Sequence, residues 1–64
     1  MKATHIDVQM YNINNVKHYR AGLHNSNDFK FETDGLETLD MFRNRIMNTI
    51  GTGIVTHFLA DWII

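Results

Sequence analysis

Residues 34–51 read DGLETLDMFRNRIMNTIG, the one stretch that carries a helix start signal, a helical apolar period and a stop signal in order. Asp34 followed three residues later by Glu37 matches a capping box, whose side chains bond amides that the first helical turn leaves unpaired. Gly51 stands where a left-handed residue closes a helix. At about 100° per residue, Leu36, Leu39, Phe42, Ile46, Met47 and Ile50 share one arc, which must be buried against something. Arg43 falls inside that arc. Its stem is expected to lie on the core while its head turns to water, or to Asp40 or Asp61. Met41 falls on the polar side.

The partner for this stripe lies upstream. Residues 4–13 alternate, with Ile6, Val8 and Met10 on one face and His5, Asp7, Gln9 and Tyr11 on the other. Asn14-Asn15 tolerates the positive φ of a two-residue type I′ turn. That turn sets Ile13 opposite Val16, Met10 opposite Tyr19, Val8 opposite Ala21 and Ile6 opposite Leu23. Apolar meets apolar at every step, an agreement the turn alone does not guarantee. After the polar loop 24–28, a five-residue connection sets Leu23 opposite Phe29, Ala21 opposite Phe31 and Tyr19 opposite Thr33.

Downstream, GIVTHFLADWII (53–64) reads two ways. As a strand it has one apolar face (Ile54, Phe58, Ala60, Trp62, Ile64) and one mixed face (Val55, His57, Leu59, Asp61, Ile63). As a helix, its apolar pairs recur every four residues. The β-branched residues and the preceding Gly51-Thr52-Gly53 favour the strand. The expected fold is then α+β, a single domain over 1–64: βββαβ, one antiparallel-rich sheet in the order 3-2-1-4, with one helix on one face. The inner residues are expected to be Ile6, Val8, Met10, Tyr19, Leu23, Phe29, Phe31, Leu39, Phe42, Ile46, Ile50, Phe58 and Trp62.

Composition narrows the function. Sixty-four residues with no Cys exclude disulfides and cysteine metal sites, which suits a reducing, cytoplasmic setting. A formal net charge of −1, with both signs scattered, argues against a polyanion-binding surface. No apolar run approaches the roughly 18 residues that span a bilayer. The N-terminus lacks the apolar segment of a secretory signal. Ser26, the only serine, has no evident base beside it, and no motif points to catalysis or a cofactor.

Three residue sets remain. Tyr11, His18, Arg20 and Lys30 share the open sheet face, the arrangement with which single-stranded nucleic acid is stacked and held. Acidic neighbours such as Glu32 make a solvated, self-paired face the heavier reading. His5 opposite His24, with Asp7 two residues along, offers a Zn or Ni ligand set. A fourth ligand is missing, and surface histidines are the plainer account. Finally, Val55, Leu59 and Ile63 beside Tyr11 and Ile13, with Met41 on the helix, form an apolar strip of the kind that marks a protein partner or a homodimer. The leading expectation is a small non-catalytic interaction module that modulates or inhibits a larger protein, or pairs with itself. Short phage-encoded inhibitors of host machinery share this size, though no residue motif supports the comparison.

Overall fold

Asn14 and Asn15 both adopt positive φ, 51° and 65°, the pair of left-handed residues that a type I′ turn requires. They join β1 (Thr4–Ile13) and β2 (Val16–Leu23) in the expected register, from Ile13 opposite Val16 through to Ile6 opposite Leu23. The computed structural model describes residues 3–26, 28–59 and 62–63, the last two by backbone alone. The remaining elements are β3 (Phe29–Glu32), α1 (Leu39–Ile50), β4 (Ile54–Phe58) and β5 (Trp62–Ile63). The sheet runs β3-β2-β1-β4, and β5 also pairs with β1. Residues 54–58 and 62–63 are therefore strand, lying parallel to β1 as the crossover through α1 demands.

The helix is shorter than its sequence signal. It begins at Leu39, and Thr38 is the N-cap, its hydroxyl accepting from the Met41 amide at 3.2 Å. Asp34 instead accepts from the Leu36 amide at 3.0 Å, a turn that satisfies the side chain locally. Gly35 takes φ 90°, where a helix cannot start, and a Cβ there would stand 2.7 Å from the Val16 side chain. Leu36 thus leaves the helical stripe and is 87% exposed. Glu37 finds a different partner: Arg45 binds it through Nε at 3.0 Å and Nη2 at 2.9 Å, and Nη2 also donates to the Glu32 carbonyl. The C-terminus is as expected, with Gly51 left-handed and its amide bonded to the Met47 carbonyl.

The core is small. Ile6, Val8, Ala21, Phe42 and Ile46 are buried, with Tyr19, Phe31, Leu39 and Ile54 packed around them. Thr33 extends β2 pairing, since Tyr19 and Thr33 exchange bonds through the Thr33 hydroxyl and amide. Five expected core residues lie outside this cluster, the first being Met10, which is half-buried on the same face beyond it. Phe29 pairs with Gly22 rather than Leu23, because a bulge at Ala21–Gly22 shifts the register. A Cβ on Gly22 would meet the Asp28 carbonyl oxygen at 2.2 Å, so only glycine fits this bulge. Leu23, past the end of the β3 pairing, and Ile50, on the last helical turn, are both exposed. Phe58 shares the helix-side face with Val8 yet is 63% exposed. The helix flank above that edge carries Asp40, Arg43 and Asn44, with Met47 its only apolar residue there.

Arg43 resolves differently from expectation as well, its Nε donating to the Thr56 hydroxyl at 3.0 Å. Tyr11 pairs with Trp62, one residue out of step with the Val8–Phe58 pairing, so the C-terminal chain carries one extra residue between β4 and β5. The side-chain positions expected for Ala60, Asp61, Trp62, Ile63 and Ile64 lie outside the described residues.

Phe42→Ala should lower stability by about 3–5 kcal/mol in urea unfolding, enough to unfold a chain of this size. The same measurement checks the cap. Thr38→Ala should cost about 1 kcal/mol and Asp34→Ala less; the reverse order would restore the capping box.

Candidate functional site

Open sheet faces become sites through what their side chains leave unbonded, and on this one most polar groups bond each other. Asp7, buried at the centre of β1, accepts from His24 Nδ1 and from the Asn25 amide at 3.1 Å. Asn25 reaches that geometry by taking φ 63° just after β2 ends. The His24 hydrogen bond holds the Asp7 carboxyl below its ordinary value of 3.8. Burial opposes this, while the Asn25 amide and the charges of His24 and His57 reinforce it. The parallel register sets His57 beside Asp7, and the His57 ring stacks on His24 at 4.2 Å between centroids. His57 Nε2 also lies 2.8 Å from His5 Nδ1.

His5, Asp7 and His24 are therefore brought together, as the strand pairing implied, and His57 joins them. The nitrogens are turned to each other and to the carboxylate. Among the described residues no three His, Asp or Glu side chains are arranged to hold a metal ion. His57 was legible only in part: its face was right, but its place beside Asp7 depends on the crossover register.

The nucleic-acid set is similarly engaged. Tyr11 is 8% exposed and stacks on His18, ring centroids 5.4 Å apart, so it is not the open platform expected. His18 Nδ1 lies 3.4 Å from the Thr33 carbonyl oxygen. Arg20 donates through Nε to Gln9 at 2.8 Å and lies over the Phe29 ring at 4.2 Å. Lys30 sits near Asp28, both exposed.

Uncommitted main-chain groups with exposed apolar side chains on both sides are found at β4. Leu59 donates to the Val8 carbonyl and Gly53 accepts from the Thr4 amide. In a parallel ladder, alternation then turns the main-chain groups of Val55 and His57 towards β1 and those of Ile54, Thr56 and Phe58 outward. Among the described residues no strand pairs with that outer side. Val55 and Leu59 are exposed beside it on the open face, and Phe58 on the helix side. Ile13 and Met41, from the expected apolar strip, are exposed too; the Ile63 side chain is outside the described residues. Phe58 was not among the expected contact residues. Its signal was present in the polar helix flank above it.

The opposite edge is protected. β3 is four residues long and carries Lys30 and Glu32, and Arg45 occupies the Glu32 carbonyl. Residues 54–59, IVTHFL, contain no Lys, Arg, Asp, Glu or Pro. Short length and charge are usual guards of a sheet edge; β3 has both, and β4 carries no Lys, Arg, Asp or Glu.

No protein-family model, curated protein or solved structure matches the chain. Among the described residues no helix is long and apolar enough to cross a membrane.

The depressed Asp7 carboxyl makes one pH effect calculable in sign. Folded Asp7 releases its proton more readily than the unfolded carboxyl does, so its stabilisation is complete above the ordinary value and is lost as pH falls through the folded one. Asp7→Asn should therefore cost about 1–3 kcal/mol at neutral pH. In urea unfolding, the gap between wild type and variant should shrink below about pH 4. A gap independent of pH would refute the coupling.

Proposed function

We propose that this chain is a non-catalytic protein-interaction module whose docking element is the free edge of β4. The carrying observation is the asymmetry of the two sheet edges: β3 is short, charged and capped by Arg45, whereas β4 presents outward amides between exposed Val55, Phe58 and Leu59. A protein strand laid along β4 would extend the sheet. Main-chain hydrogen bonds would give affinity, and alternate side-chain contacts on the two faces would give selectivity. Occupying a strand of a larger partner in this way is how so small a chain would modulate or inhibit it. The polar open face supports the same reading, since its aromatic and cationic groups already satisfy one another.

Capture by immobilised wild type should retain a protein at near-stoichiometric level, and a Val55→Lys/Leu59→Lys variant should lose it. In the complex, hydrogen exchange of the Ile54, Thr56 and Phe58 amides should slow. Equal capture by both forms, or unchanged exchange at those three amides, would overturn the edge as the docking element.

A further inference from the structure

We infer that the strand which occupies the β4 edge is β4 of a second copy of this chain, forming a two-fold dimer with a continuous sheet; this rests on the edge reading above. The argument begins with the outward main-chain groups. They belong to Ile54, Thr56 and Phe58, so an antiparallel pairing must match even-numbered residues with even-numbered residues. Among such registers, the one with Thr56 opposite its own copy forms the most hydrogen-bonded pairs: Thr56 with Thr56, and Ile54 with Phe58 twice. Neighbouring registers lose one of the three.

That same register solves the packing problem at Phe58. On the helix side it lays each Phe58 against the other copy's Ile54, which is half-buried and lines a depression with Met47, Gly53, Asp40, Arg43 and Asn44. A two-fold axis normal to the sheet keeps both helices on one face. Strands spaced about 4.8 Å apart put helices that lie above β1 roughly 14 Å from each other. Close-packed helices need only 8–10 Å, so a trough is left to be filled. Its floor is Ile54, Thr56 and Phe58 from both copies, and its walls include both Met47 side chains.

Charge and area agree with this arrangement. No Lys, Arg, Asp or Glu lies in residues 54–59, and the two Asp40 and two Arg43 along the trough balance. On the open face Val55 falls opposite His57 of the other copy. Exposed Met47, Val55, Phe58 and Leu59 offer on the order of 700 Å² over two copies, and with the flanking residues the buried total approaches about 1,000 Å², where specific interfaces begin. An isologous contact needs one self-complementary patch, and here the hydrogen-bond register and the apolar register coincide.

The test is mass in solution, by light scattering on a sizing column up to about 200 µM. Wild type should be dimeric at that limit and dissociate on dilution. Phe58→Lys and Thr56→Pro should be monomeric throughout, each still folded by circular dichroism. Thr56→Pro removes an outward amide and the hydroxyl that accepts from Arg43, while the β1–β4 ladder, made by Val55 and His57, keeps its bonds; Phe58→Lys leaves the Arg43 bond in place. A wild type that stays monomeric overturns the homodimer while leaving the edge to its own capture test. A dimer that survives both substitutions overturns β4 as the self-interface and leaves the edge as a partner site to its capture test.

Discussion

A helix of twelve residues rises about 18 Å, whereas the ten residues of β1 extend about 33 Å. One helix on this sheet therefore shields about half the length of its central strand, and that difference in reach decides what is buried. Ile6, Val8 and Ala21 lie under Phe42 and Ile46 and lose contact with water. Met10, further along the same face, is only half-buried, and Phe58 lies beyond the helix flank. Among the described residues five apolar side chains form the enclosed cluster, which is little for a chain without disulfides. The periphery contributes through geometry instead: Thr33 lengthens the β2–β3 pairing, Arg45 ties helix to loop, and Arg43 ties it to β4.

The two sheet faces and the two edges divide the remaining work. On the open face the polar side chains pair across strands, so Asp7, deep in β1, is fully satisfied by its neighbours. A side chain already bonded to a neighbour must give up that bond to meet a ligand, which weakens any binding there. The β4 edge has no such prior commitment. Its outward amides and exposed Val55 and Phe58 lose only water on association.

The hairpin was legible in the sequence because two independent patterns, the Asn-Asn turn and the apolar alternation, required the same register. The strand order was legible for a related reason: a strand after a helix must lie parallel in the sheet, and β1 was the open neighbour. The helix start was misread because Asp34 and Glu37 satisfy the capping pattern in type and spacing. The chain, however, has to travel from β3 at the sheet margin to a position above β1. It spends residues 34–37 on that passage, with Gly35 held in a conformation no helix accepts. Phe29 was misplaced because alternation was carried through Gly22, although a glycine inside a strand is itself a bulge signal.

The histidines show where local reading ends. His5 and His24 are joined by hairpin register, a relation set by a turn in the sequence. His57 reaches them only through a parallel pairing across fifty residues, whose register is fixed by how α1 seats on the core. The same seating decides the fate of Phe58. The helix flank beside Ile54 and Thr56 carries Asp40, Arg43 and Asn44, and Phe58, next on that face of β4, is exposed. Because the flank is polar, the apolar surface of β4 is left at the margin of a marginal core. Anything that binds the folded chain there stabilises it by mass action, so association and folding draw on the same contacts. On the proposed reading, fold stability and partner binding would both draw on the one unfinished sheet edge.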